Sequence, residues 1–115
     1  MIFHMAHKSD WQRALDQGRL YTGSIDDQRD GFIHFSTATQ IPISAAKHRA
    51  GQTDLLLIAV DPSVLGDALR WETSRDQQDF PHLYGALDPK SVAWAEPLPW
   101  DANQAVHVFP HIFAG

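Results

Sequence analysis

Cysteine is absent from the 115 residues. That excludes disulfides, iron–sulfur ligation and thiol nucleophiles, and it fits a reducing compartment. Basic residues are scarce: 9 Lys and Arg stand against 14 Asp and Glu, for a net charge of −5 with neutral histidines. Broad nucleic-acid binding needs a basic face and is therefore not expected, although a small pocket for one phosphate is compatible with this balance. Long hydrophobic runs are missing too. The longest, "LLLIAV" at 55–60, is far too short to span a bilayer. "MIFHMAHKSDW" carries no basic region followed by a long apolar one, so no signal peptide is expected. The expectation is a cytoplasmic protein with no membrane association. Nothing in the chain points to a particular protein partner. Glycine-rich dinucleotide and phosphate loops, GxSxG and HExxH are all absent.

What is present suits one domain, 1–115, with 43% hydrophobic and 20% charged residues and enough chain for a real core. "IFHMA" (2–6) reads as a short strand. Ser9 and Gln12 have capping-box spacing, which predicts a helix start. Trp11, Ala14, Leu15 and Gly18 then recur at i, i+3, i+4 and i+7 as its buried face, with Gly18 as its stop. "RLYTG" (19–23) reads as a short strand and "SIDDQRDG" (24–31) as a polar loop whose acids Asp26, Asp27 and Asp30 are solvated. In "FIHFS" (32–36), alternation turns Ile33 and Phe35 to the core and His34 to the opposite face.

Thr37 and Gln40 repeat the capping spacing. Pro42 predicts one turn there, then a restarted helix over about 43–50 ended by Gly51. "DLLLIAVD" (54–61) reads as a central strand buried on both faces. "DPSVLG" (61–66) is a turn with a short 3₁₀ segment. "LRWET" (69–73) reads as a strand, "SRDQQDFPHLYG" (74–85) as a loop and "SVAWAEPL" (91–98) as a strand near an edge. "AVHVF" (105–109) reads as a last strand or ordered tail. The result is an α+β fold with two short helices and a mixed or antiparallel sheet, without the β-α-β-α rhythm of a doubly wound sheet.

Seven histidines are the chemically informative residues. His4/His7 and His107/His111 have ligand-like spacings. Neither pair lies clearly on a helix, and a closed zinc site takes four ligands, so no metal is expected. Ser36 lies two residues from His34 on one strand, which does not orient a serine for general-base attack. The remaining reading is of His4, His34 and His82 as polar groups of one pocket, set against the simpler reading of hydrogen-bonded structural histidines. Glu72, flanked by Arg70 and Arg75, reads most simply as part of an ion pair.

"GFIHFST", "DLLLIAVDP", "LRWE" and "FPHLYG", in this order over about residues 2–100, resemble the small bacterial family called domain of unknown function 952. The segment 101–115 lies outside that pattern as a C-terminal strand or tail. The front of the chain also resembles the ADP-ribosyltransferase fold in its RNA 2′-phosphotransferase branch, on three features. His4 closes a first strand, Trp11/Leu15/Gly18 match its helix pattern, and "FIHFS" stands where that branch has H-x-H. Met5 and Phe32 depart from the pattern.

This second resemblance implies an ADP-ribosyltransferase-like split sheet and NAD as cofactor. His4 would then hold a ribose hydroxyl, His34 would pack on the nicotinamide, and His82 would fall near the third motif. These three are its candidate catalytic residues. Ser36, Thr37 and Tyr84 would line the pocket, with Arg70 and Arg75 gripping phosphate beside Glu72 and Arg13, Arg19, Arg29 and Arg49 as weaker candidates for the same role. The usual third-motif glutamate has no clear match. Two readings stay open: a transferase that moves ADP-ribose, and a non-catalytic small-ligand or partner-binding module.

Overall fold

The computed structural model describes residues 1–74 and 77–110. Arg75 and His111 lie outside them. Among the described residues there are three α-helices and eight strands. Every strand pairing is antiparallel, in a compact α+β domain.

Strand β1 (Ile2–His7) runs into helix α1 (Lys8–Asp16). The helix starts one residue before the expected Ser9. His7 is its N-cap and makes no side-chain capping bond. The start is held instead by the Lys8 amide donating to the Asp54 carbonyl at 2.8 Å, so the predicted Ser9/Gln12 box is not used. Trp11 and Ala14 are buried as expected. Leu15 is 45% exposed, because the buried stripe of so short a helix is only two residues wide. "RLYTG" is not a strand; Tyr21 makes an isolated bridge to Leu87.

The largest correction concerns 24–31. This segment is helix α2 (Ile25–Asp30), with Ser24 as N-cap and Gly31 closing it at φ 86°, a backbone conformation that favours glycine. It raises the helix number above the expected two.

Strand β2 (Ile33–His34) is shorter than the predicted 32–36. Ile33 and Phe35 are buried as alternation requires. The Thr37/Gln40 box does form: the Thr37 amide donates to Gln40 Oε1 at 3.0 Å and the Gln40 amide to Thr37 Oγ1 at 3.3 Å. Helix α3 (Ile41–His48) follows without a break, with Pro42 in its first turn, where no intrahelical amide is needed.

Strand β3 (Leu55–Val60) is the centre of the sheet β1-β3-β6, where β6 is Trp94–Pro97. Ile58 and Val60 face one core cluster with Ile2, Trp11, Tyr21 and Phe35, while Leu55, Leu57 and Ala59 face a second with Phe3, Ile41 and Leu98. Burial on both faces accounts for its unbroken apolar run. A 3₁₀ turn at Pro62–Val64 follows.

Strand β4 (Leu69–Thr73) lies beside β5 (Asp79–Leu83), the centre of a second sheet, β2-β5-β4. The expected loop over 74–85 is therefore in part a strand. Pro81 argues against a central strand, yet its carbonyl still accepts from the Phe35 amide at 3.0 Å. A ribbon of β7 (Trp100–Asp101) and β8 (Val106–His107) ends the described chain. The two larger sheets are joined where Phe3 and Ser36 exchange both amide–carbonyl bonds at 2.8 Å.

Candidate functional site

The β2–β5 register sets His34 directly across from His82, and β4–β5 sets His82 across from Arg70. Cross-strand partners share a sheet face, so three polar residues far apart in sequence meet in one row. Helix α3 stands opposite. The space between is a cleft of about 240 Å³ whose lining includes His4, His34, Ser36, His82, Asp30 and Arg49.

His34 is the best-anchored exposed group. Its ring Nδ1 contacts Asp27 Oδ1 at 2.5 Å and its backbone amide donates to the same oxygen at 3.1 Å. The other carboxylate oxygen of Asp27 accepts from the Ser24 amide at 2.7 Å and the Ser24 hydroxyl at 3.0 Å. Asp27 is 2% exposed. Burial alone would raise its pKa. The His34 ring, the nearby His4 and the Ser24 and His34 amides outweigh burial and hold the carboxyl well below the usual range. The outer edge of the His34 ring, Nε2, lies 3.1 Å from Asp30 Oδ2. The His34 side chain remains 42% exposed.

His4 lies deeper, at 2% exposure. Its Nδ1–H donates to the His34 carbonyl at 2.7 Å, and its Nε2 accepts from the Tyr21 hydroxyl at 2.7 Å. A carbonyl only accepts, so this pairing fixes the neutral tautomer. Burial pushes the His4 pKa down, against the opposing pull of Asp27 and of that carbonyl bond. Burial, with the Asp27 charge adding to it, drives the Tyr21 hydroxyl upward. Both ring nitrogens of His4 are thus committed inside the protein.

His82 forms a second acid–imidazole pair. Its Nδ1 lies 2.9 Å from Glu72 Oε1, which also accepts from the Tyr84 hydroxyl at 2.6 Å. Those two bonds, Tyr84 first, hold the Glu72 carboxyl below its usual range, and the same carboxylate raises Tyr84. The His82 ring stacks on Phe32 with centroids 4.0 Å apart and planes at 22°. It meets the His34 ring edge-on at 5.7 Å.

Of the sequence candidates, His4, His34, Ser36 and His82 line the cleft, whereas Thr37, Arg70, Glu72 and Tyr84 do not. Thr37 caps the turn before α3. Arg70 pairs with His82 across the strands, but its guanidinium lies over the Tyr84 ring at 5.0 Å, outside the cleft lining. Arg75 lies outside the described residues. Among the described residues no group of three or more His, Asp or Glu side chains is arranged to hold a metal ion.

Two contributors carried little weight in the sequence: Asp27 as one of the solvated loop acids and Arg49 as one of the weaker phosphate-binding arginines. Asp27 read as a loop acid, although Ser24-x-x-Asp27 has capping-box spacing and Gly31 follows as a helix stop. Arg49, at the end of α3, lines the cleft with its Nε buried and without a hydrogen-bond partner, and its Nη1 lies 3.9 Å from Asp26. No local motif announces it.

No curated protein matches the chain. Solved structures do. The crystal structure of protein CC0527 from Caulobacter crescentus is 38% identical over 99% of this chain and 98% of that one, with a TM-score of 0.91. The solution NMR structure of CC0527 is 41% identical over 91% of this chain and 89% of that one, with a TM-score of 0.79. The model of a family described as "Protein of unknown function (DUF952)" matches residues 5–95. That span is most of the 115-residue chain, and the chain belongs to the DUF952 family.

Proposed function

We propose that the cleft binds a nucleotide of the NAD type by its ribose–phosphate portion and serves ADP-ribose transfer. The observation that carries this reading is His34, an imidazole pinned from behind by buried Asp27 and presented in a cleft that also holds Arg49. The volume of about 240 Å³ is below the usual ~300–1,000 Å³ of small-molecule pockets, so it suits one part of a dinucleotide.

In this reading His34 contacts the ligand and His4 is a positioning residue. His4 touches no ribose, because its two nitrogens already serve the His34 carbonyl and Tyr21. Breaking the glycosidic bond leaves an oxocarbenium-like charge, which a nearby carboxylate stabilises. In this reading Asp30, one of three cleft-lining aspartates and beside His34 Nε2, supplies it; Glu72 is bound to His82 Nδ1.

The test is an amide NMR titration with NAD, together with an assay of nicotinamide release. Shifts at residues 34, 36 and 82, abolished by His34→Ala, are expected. No shift at these residues would sink the reading. The second reading, a ligand-binding module without turnover, is favoured by the internal commitment of His4 and by the absence of a glutamate from the lining. Binding that vanishes in His34→Ala, with no nicotinamide released by the parent protein, would select it.

A further inference from the structure

The cleft holds two imidazoles, each bound at Nδ1 to a carboxylate. His34 is bound by Asp27 and His82 by Glu72. They sit opposite each other on neighbouring strands, with rings edge-on at 5.7 Å. Both line the same space as Arg49, whose buried Nε has no partner. A pocket for NAD needs one such histidine; the second pair goes beyond that reading and does not depend on it.

We infer that the His34–His82 pair is an acid–base site for hydrolysing a cyclic phosphodiester of a nucleotide.

The hydrogen bonds assign the two roles. An ionised carboxylate only accepts. His82 therefore carries its proton on Nδ1, toward Glu72, and keeps a lone pair on Nε2. His34 meets a carboxylate at both edges, Asp27 at Nδ1 and Asp30 at Nε2, so its outward nitrogen is a donor. His82 is the base and His34 the acid. Stacking on Phe32 fixes the plane of the base.

The step balances with water as the only co-reactant. His82 Nε2 takes a proton from a water molecule as its oxygen bonds to phosphorus. One ring P–O bond breaks on the far side, since the entering and leaving oxygens lie in line. The leaving oxygen takes the proton from His34 Nε2. The product is a phosphomonoester, and solvent resets both rings. The Arg49 guanidinium is a planar donor suited to the non-bridging oxygens. A five-membered cyclic diester fits because it is compact and both of its reacting oxygens lie close to one phosphorus.

The experiment incubates the full chain with adenosine 2′,3′-cyclic monophosphate and follows the phosphorus by ³¹P NMR. Conversion to a single monoester is expected, with a bell-shaped pH dependence of kcat/KM. His34→Ala and His82→Ala should each lower kcat by about 10²–10⁴-fold. Glu72→Gln, a change behind the base, should leave KM nearly unchanged, lower kcat less and move one limb of the pH profile. No conversion above the buffer rate by the parent protein overturns the inference. So does conversion that survives in His34→Gln and His82→Gln, variants whose folding is checked by their amide spectra. The NAD titration is independent: binding of NAD without cleavage of the cyclic diester sinks only this inference, and the reverse result sinks only the NAD reading.

Discussion

The carboxylate of Asp27 holds His34 twice, through the ring at 2.5 Å and through the backbone amide at 3.1 Å. One buried acid thereby fixes both the position of a strand and the orientation of the side chain that the strand carries.

Removing that carboxylate should be costly. Asp27→Ala leaves the buried Ser24 amide and the part-buried His34 amide without their acceptor, and unmade buried bonds cost about 1–3 kcal/mol each. A loss of about 2–4 kcal/mol in urea unfolding is expected. Asp30→Ala removes only a half-exposed ion-pair partner, and its effect should stay below about 1 kcal/mol.

Acid should destabilise the fold in two stages with one sign. The pKa of His4 is lowered in the folded protein, so below the unfolded value of about 6.5 the unfolded chain binds the extra proton and stability falls with pH. Asp27 is depressed. Its contribution is complete above the unfolded carboxylate value and fades as pH drops below about 4 toward the folded pKa. Thermal melts from pH 8 to pH 3 should decline gently at first and then steeply. In Asp27→Asn the steep part should flatten.

Gly23 is closely covered. A Cβ there would lie 2.6 Å from the Asp27 Cβ, on a backbone with φ 89°. Gly23→Ala should therefore displace Asp27 and cost about 2–3 kcal/mol. Gly31→Ala meets nothing within 4 Å at φ 86° and should cost about 1 kcal/mol, from backbone strain alone. Melting curves rank the two. The His34 ring signals should move far more in the first variant.

Tyr21→Phe deletes the donor to His4 Nε2 and changes little else in shape. A buried acceptor is left open, at about 1–2 kcal/mol. Urea titration measures the loss, and the His4 ring nitrogens should report the missing bond by ¹⁵N chemical shift.

The sequence made β3, β4 and the inward turn of Ile33 and Phe35 legible, since each rests on local alternation or an unbroken apolar run. The reciprocal Thr37/Gln40 cap was legible from spacing alone. Helix α2 was not: its six residues, Ile25–Asp30, are almost all polar, and no apolar period marks them. The strand at Asp79–Leu83 was hidden by Pro81, because a residue without an amide hydrogen reads as a break until its carbonyl is seen to be used. Three of the four cleft-lining candidates are histidines that the alternation pattern could place on faces but not beside one another. The meeting of His34 and His82 depends on the β2–β5 register, which is a tertiary fact. Tyr84 was placed in the pocket by its nearness to His82 in sequence and Arg70 as an arginine able to grip phosphate, whereas Tyr84 bonds Glu72 and Arg70 lies over the Tyr84 ring, outside the cleft lining.

That register has a meaning for folding as well as for chemistry. Strand β2 is only two residues long, too short for its own ladder to fix its alignment. A slip by one position would exchange Ile33 for His34, bury an imidazole and turn an isoleucine to water. It would also pull the ring away from Asp27. The acid–imidazole contact thus works as an alignment key: only the correctly threaded chain can close it, so the geometry that equips the cleft is also the geometry that certifies the fold.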